Sequence, residues 1–86
     1  MQIVTTKKFD GQYRKQSQKV KHAFGERIGL FVEDPRHPLL RVHKLSGKFN
    51  GLWSFNVTGD VRVVFDASQS GAVILVAIGT HSQLYT

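Results

Sequence analysis

The spacing of the apolar residues changes at Asp34-Pro35, and this change limits the possible folds more than any other feature of the sequence. Before it, large apolar residues recur from Phe9 to Phe31 at three-, four- and seven-residue spacings, which is the pattern of one helix face. Proline disfavours helical geometry in the residue before it, so the helical region should end at Asp34. We expect two helices, broken near Gln16 and Ser17, with Ser17 capping the second.

The remaining segments carry strand patterns. One short strand is predicted over residues 2–7, ahead of the helices, and three more over 52–57, 61–67 and 72–79. Residues 35–46 form the connection between helices and strands. The sequence therefore predicts a single α+β domain over residues 1–86, in which an N-terminal strand and two helices precede a three-stranded antiparallel meander. The helices should pack on one face of the sheet.

The turn at Thr58-Gly59-Asp60 fixes the pairing of the two strands beside it. A shift of one residue would turn one strand inside out, so the apolar side chains of both strands must face each other on one side of the sheet. The resulting pairs are Val57 with Val61, Phe55 with Val63, Trp53 with Phe65, and, on the opposite face, Asn56 with Arg62.

Arg62 is a candidate anion site because it lies in mid-strand, beside an amide, on the face that the helices leave uncovered. The alternative is an ordinary solvent-facing arginine that pairs with Asp60 or Asp66.

Positive charge is concentrated in the first half of the chain. The net charge is +6, and residues 1–50 hold eleven of the twelve Lys and Arg but only four of the six acids, which gives +7 there. Such a field attracts polyanions such as RNA, or an acidic protein partner. A solvated helix face that only keeps the protein soluble would show the same charge.

The sequence shows no pattern typical of a disulfide, a metal site, a membrane span or a secretion signal. The chain has no cysteine, and its four histidines show no ligand spacing, so we expect neither a disulfide nor a metal or other cofactor. No apolar run is long enough to span a bilayer, and the first residues lack the pattern of a secretion signal. We expect a cytoplasmic protein with no membrane contact.

Three motifs resemble those of a known family. The segment His43-Lys44-Leu45-Ser46-Gly47, followed by Gly51 and Trp53, the strand segment Asp60-Val61-Arg62, and the ending Gly79-Thr80-His81-Ser82-Gln83-Leu84-Tyr85 are similar to RelE/YafQ-like toxins. The match runs in order along essentially the whole chain, and the C-terminal motif is its most specific part. The resemblance implies a RelE-like fold and a ribosome-dependent mRNA endoribonuclease, the toxin of a type II toxin–antitoxin pair. A separately encoded antitoxin would then be its protein partner.

In such enzymes the 2′-OH of the RNA attacks the adjacent phosphate. This reaction needs a base, an acid and a cation that stabilises the phosphoryl oxygens, but no metal. Histidine suits the first two tasks because its ordinary pKa is about 6.5. The family's positions match His81 and His43 as acid and base in either order, Arg62 as the phosphate-binding cation, and Asp60 as a residue that orients a histidine.

The expected RNA contacts follow from the same motifs. Tyr85 matches an aromatic residue that stacks on a base, and Arg41, Lys44 and Lys48 lie beside His43, where phosphates would pass. Asn56, the cross-strand neighbour of Arg62, is a further expected RNA contact. Asn56 stands where the YafQ branch has a further histidine, and Ser54 where it has an acid, so this chain departs from that branch at two positions. His22 and His37 are assigned to structural or surface roles.

Two other functions fit the same resemblance. A ParE-type toxin inhibits gyrase by binding and cuts no RNA, although it shares the fold. A degenerate module would only bind the antitoxin.

Overall fold

The computed structural model describes residues 1–85. Two helices follow the first strand, and four further strands then lead to a final one-turn helix. In chain order the elements are β1 (Gln2–Thr5), α1 (Lys7–Arg14), α2 (Gln18–Glu33), β2 (His43–Lys44), β3 (Trp53–Asn56), β4 (Val61–Asp66), β5 (Ala72–Thr80) and α3 (His81–Leu84), with single 3-10 turns at Pro38–Leu40 and Gly47–Phe49.

The helices α1 and α2 begin at side-chain caps, of which the sequence predicted the one at Ser17. Thr6 Oγ1 accepts a hydrogen bond from the Phe9 amide at 3.0 Å, and Ser17 Oγ accepts one from the Val20 amide at 3.2 Å. These contacts satisfy amides that the first turn of a helix leaves unpaired. The break near Ser17 and its role as a cap are therefore confirmed.

Within the described residues, five strands form one sheet in the order β1-β5-β4-β3-β2. β1 runs parallel to β5, and the other neighbours are antiparallel. The register predicted for the hairpin is confirmed, since Trp53 lies opposite Phe65, Phe55 opposite Val63, and Asn56 opposite Arg62.

The predicted connection over residues 35–46 proved to contain more structure than expected. His43 and Lys44 pair with Ser54 and Trp53 as the edge strand β2. Two residues are too few to show an alternating pattern, so this strand could not be predicted from the sequence.

Helices α1 and α2 pack on one face of the sheet, as predicted, over an aromatic core. Phe31 packs against Phe55 and Phe65 with both pairs of ring centroids 5.0 Å apart. At the other end of this core, Phe9, Tyr13 and Phe24 pack on one another with ring centroids 5.2–6.0 Å apart. Among residues 1–85, no helix has the length and apolar character needed to cross a bilayer.

The opposite face is partly covered, in keeping with the apolar character of residues 72–79 at every position. Phe49 from the 3-10 turn and Leu84 from α3 pack with Val64 and Ala77 as a second, smaller apolar cluster. In the strand ladder Ser54, Val64 and Ala77 form one row across this face, and the next row is Asn56, Arg62 and Gly79. The cluster therefore borders the two polar residues on which the candidate site is built.

Candidate active site

Arg62 and His81 are in contact at the carboxyl end of β5. The guanidinium Nη1 of Arg62 lies 3.5 Å from Nδ1 of His81, a long hydrogen bond. A guanidinium can only donate, so Nδ1 of His81 is the acceptor in this contact. In the neutral imidazole the proton is then on Nε2, where it can be donated to another molecule.

The turn before His81 explains the Gly79-Thr80-His81 sequence. Thr80 and Gln83 form a reciprocal cap, with Thr80 Oγ1 accepting from the Gln83 amide at 3.2 Å and Gln83 Oε1 accepting from the Thr80 amide at 2.9 Å. A Cβ at position 79 would lie only 3.0 Å from Gln83 Oε1 and 3.2 Å from Gln83 Cβ. Glycine therefore allows α3 to fold tightly against β5, which sets the position of His81.

A surface depression of about 340 Å³ brings three of the predicted site residues together. Asp60, Arg62 and His81 line it with Gly59, Thr80 and Ser82. No ion pair joins Arg62 to Asp60 or Asp66 within residues 1–85. In this part of the chain, neither aspartate neutralises Arg62, unlike in the alternative given above.

His43 lies elsewhere on the same sheet face, and both of its ring nitrogens have partners. Nδ1 is 2.8 Å from the main-chain oxygen of Arg41, and Nε2 is 3.5 Å from Oγ of Ser54. Because a carbonyl oxygen can only accept, Nδ1 carries the proton. Nε2 of the neutral ring then has a lone pair, so His43 and His81 have opposite tautomers.

The structure does not bring His43 into contact with the pair formed by Arg62 and His81. β3 lies between β2 and β4, and two strand spacings separate their backbones by about 10 Å. His43 is paired with Ser54, two residues from Asn56, so its side chain shares the face of Asn56 and Arg62. A substrate that contacts both histidines must cross this face.

Asn56 and Arg62 each keep a buried polar atom without a partner among residues 1–85. These atoms are the amide oxygen Oδ1 of Asn56 and the guanidinium nitrogen Nε of Arg62. Buried polar groups are nearly always hydrogen-bonded, so each unpaired one calls for an explanation, of which a role in binding or catalysis is one. The two residues face each other across β3 and β4, so the unsatisfied polar atoms lie in one part of the sheet.

Tyr85 extends the site as an aromatic surface. Its ring stacks on the His81 ring, with centroids 4.6 Å apart and an angle of 29° between the ring planes. It also packs edge-to-face with the Phe49 ring, with centroids 5.3 Å apart. The Tyr85 side chain is 39% exposed, so part of the ring remains accessible to a ligand.

The predicted cationic residues have different surroundings. Arg41 and Lys44 are exposed beside His43, and the Lys44 ammonium lies 5.4 Å from the centroid of the Trp53 ring. Lys48 Nζ instead donates to the main-chain oxygen of Leu84 at 2.8 Å. The Lys48 ammonium thus binds the C-terminal turn that carries His81 and Tyr85.

The histidines assigned to other roles lie away from this site. His37 Nδ1 accepts a hydrogen bond from the Leu39 amide at 3.1 Å and caps the first 3-10 turn. His22 lies on α2, 3.9 Å from Glu26, with both side chains largely exposed. In the described part of the chain, no three His, Asp or Glu side chains lie close enough to hold a metal ion.

Ser54 lies on the predicted face of the sheet, but its burial was not predicted. Alternation along β3 puts Ser54 on the more polar face, yet its side chain is only 1% exposed. Its departure from the acid of the YafQ branch was visible in the sequence, but its burial was not, because the second apolar cluster covers this face only in the folded chain.

Comparison with known proteins gives a consistent result. A family described as "Bacterial toxin of type II toxin-antitoxin system, YafQ" matches residues 1–86. No curated protein sequence matches the chain.

Several solved structures share the fold. YafQ from Escherichia coli strain BL21(DE3) is 14% identical, with a TM-score of 0.82 over 98% of this chain and 97% of that one. A YoeB/ParE toxin from Agrobacterium tumefaciens is 22% identical, with a TM-score of 0.76 over 94% of this chain and 99% of that one. A chain of the Escherichia coli DinJ-YafQ toxin-antitoxin complex is 14% identical, with a TM-score of 0.79 over 98% and 96%. At these identities the structural likeness concerns the fold.

Proposed function

The chain belongs to the YafQ family of bacterial toxins from type II toxin–antitoxin systems, and from that premise we propose that it cleaves mRNA on the ribosome without a metal ion. The 2′-OH oxygen would bond to the adjacent phosphorus while the bond from phosphorus to the 5′-oxygen breaks. The products are a 2′,3′-cyclic phosphate and a free 5′-OH. A cytoplasmic location follows from this substrate.

The opposite tautomers of the histidines support separate roles in this reaction. Nε2 of His43 has a lone pair and can take the 2′-OH proton, since Nδ1 is committed to the Arg41 carbonyl. Nε2 of His81 has a proton to give to the departing 5′-oxygen, since Nδ1 faces Arg62. We therefore assign His43 as the base and His81 as the acid.

Arg62 is the proposed phosphate-binding residue. Its guanidinium contacts His81, lines the depression shared with Asp60 and carries an unpaired Nε. A fixed cation beside the acid would stabilise the charge that grows on the phosphoryl oxygens. The contact between Arg62 and His81 is the single observation that carries the proposal.

The other residues have supporting roles in the proposal. Tyr85 would stack on a base next to the scissile phosphate, and Asp60 would orient His81 from across the depression. Asn56 would hydrogen-bond the ribose or phosphate. Arg41 and Lys44 would contact phosphates beside His43, and Lys48 would do so at the edge of the C-terminal turn.

The direct test is cleavage of mRNA in a reconstituted translation reaction, mapped by primer extension. We expect His81→Ala to slow cleavage by about 10²- to 10⁴-fold and Arg62→Ala by about 10²- to 10³-fold. His22→Ala is the matched control, because it removes an exposed histidine from α2. Full activity of both site variants would refute the assigned roles, and gyrase inhibition without RNA cleavage would favour the ParE-type function.

The proposed protein partner is a separately encoded antitoxin. The Escherichia coli YafQ of similar fold has been seen in a complex with DinJ. The excess charge of +7 in residues 1–50 would attract an acidic segment, which could order on binding. Copurification of this chain with the product of the adjacent reading frame would test this partnership.

A further inference from the structure

Ser54 is a buried hydroxyl placed directly beside an exposed histidine. It is the one polar residue among the buried side chains of residues 1–85. Its Oγ lies 3.5 Å from Nε2 of His43, its cross-strand partner in the β2–β3 pair. Leaving a buried hydroxyl without a partner is unfavourable, so this contact stabilises Ser54 as well as the imidazole.

The other side of the imidazole is fixed by the main chain. Nδ1 of His43 donates to the Arg41 carbonyl at 2.8 Å. Arg41 has a φ of 49°, in the left-handed region that side-chain-bearing residues rarely adopt. This conformation follows the 3-10 turn at Pro38–Leu40 and precedes β2, so the short connection that leads into the edge strand also supplies the acceptor.

We propose that Ser54 is a positioning residue that holds His43 in the tautomer with the Nε2 lone pair. The Arg41 carbonyl requires a proton on Nδ1, and the Ser54 hydroxyl can then donate to Nε2. A hydroxyl can donate or accept, but the proton of the Ser54 hydroxyl has no other acceptor within residues 1–85. The hydroxyl therefore donates to Nε2, which favours the same tautomer as the Arg41 carbonyl does. At 3.5 Å the Ser54 contact is long, so it orients Nε2 but yields readily to an incoming hydroxyl.

The role of Ser54 in catalysis rests on the proposed function, whereas its effect on the tautomer of His43 does not. If His43 is the base, Ser54 keeps its accepting nitrogen on the sheet face that carries Arg62. Ser54 would then act through His43 and touch no substrate atom.

The tautomer can be measured on the full chain without RNA. Long-range ¹H–¹⁵N spectra of the histidine rings, with His43 assigned by its loss in His43→Gln, should show Nδ1 protonated and Nε2 unprotonated above the pH at which the ring is charged. Ser54→Ala should increase the population with a proton on Nε2, and Ser70→Ala, an exposed residue between β4 and β5, should not. The proposal would be overturned if the His43 ring of the native chain were protonated mainly on Nε2. It would also be overturned if Ser54→Ala left the ratio of the two His43 tautomers unchanged.

A double-mutant cycle separates this role from a structural one. Ser54→Ala should lower kcat by about three- to tenfold with little change in KM, and should have no further effect in a His43→Ala background. An equal loss in both backgrounds would show that Ser54 does not act through His43. If the native chain cleaves no RNA, the proposed function fails, and the ring spectra still decide the role of Ser54.

Discussion

The ammonium of Lys48 donates to the main-chain oxygen of Leu84 at 2.8 Å. This contact joins the Gly47–Phe49 turn to the end of α3, across 36 residues of sequence. Phe49 strengthens the same connection through its edge contact with Tyr85. The C-terminal turn that carries His81 is therefore held by the segment that follows His43, which links the two histidine-bearing parts of the site.

Replacing Lys48 with Met should destabilise the protein moderately. The substitution removes the hydrogen bond to Leu84 and the ammonium that lies 5.3 Å from the centroid of the Phe49 ring, at a cost of about 1 kcal/mol. For a chain of this size that corresponds to a fall in Tm of roughly 4–8 °C. Thermal unfolding followed by near-UV circular dichroism measures it, with the exposed Lys19→Met as control. An unchanged Tm together with a raised KM for RNA would instead support Lys48 as a direct phosphate contact.

Asp66 should make the stability depend on pH at the acidic end. The amide and hydroxyl of Ser68 donate to its carboxylate and lower the pKa of Asp66 below 3.8. A group whose pKa is lower in the folded state stabilises the fold above its unfolded pKa, and that stabilisation disappears as the pH falls through the folded pKa.

Asp66→Asn tests this dependence. The variant should lower the urea midpoint relative to the native chain at pH 7, and the difference should shrink as the pH is taken below 3.8. Glu33→Gln, on the exposed side of α2, provides the comparison. A deficit of the same size at both pH values would mean that the charge of Asp66 is not involved.

Local and pairwise rules predicted much of this fold. The Ser17 cap depends on the four consecutive residues 17–20, and the pairing of Asn56 with Arg62 follows from alternation on two strands joined by a tight turn. Both signals are complete within a short segment. They were sufficient to place Arg62 on the face opposite the helices.

The features that the sequence missed depend on contacts between distant segments. β2 has only two residues, and α3 only four, so neither has a measurable period. The burial of Ser54 results from the cluster of Phe49 and Leu84 on its side of the sheet. The partners of His43 could not be predicted for the same reason, because one of them depends on the backbone conformation of Arg41.

Truncation of Phe55 should remove a large share of the free energy of unfolding. Its side chain is fully buried between the rings of Phe31 and Phe65. Phe→Ala in such a core costs about 3–5 kcal/mol, a large share of the stability of a domain this small. Urea unfolding followed by the fluorescence of Trp53 measures the loss, and a cost below 1 kcal/mol would contradict the packing described for this core.

Gly79→Ala should impair cleavage far more than its small size suggests. The added methyl would lie 3.0 Å from Gln83 Oε1 and 3.2 Å from Gln83 Cβ, so Gln83 must shift by a few tenths of an ångström, which strains its reciprocal cap with Thr80. That shift moves the start of α3, and with it His81, relative to Arg62. We expect a loss of cleavage of about three- to tenfold, since a shift of 1 Å in a reacting group can cost roughly 10² in rate. The NMR chemical shifts of the His81 imidazole should also change in Gly79→Ala.

Gly29→Ala is the matched control, because the same methyl is added in mid-helix on α2 with nothing within 4 Å of it. There the substitution should stabilise the protein by about 0.5–1 kcal/mol through helix propensity and leave cleavage unchanged. The same added methyl should therefore lower cleavage at position 79 and raise stability without changing cleavage at position 29. Equal activity in both would show that the close approach of α3 to β5 does not determine where His81 lies.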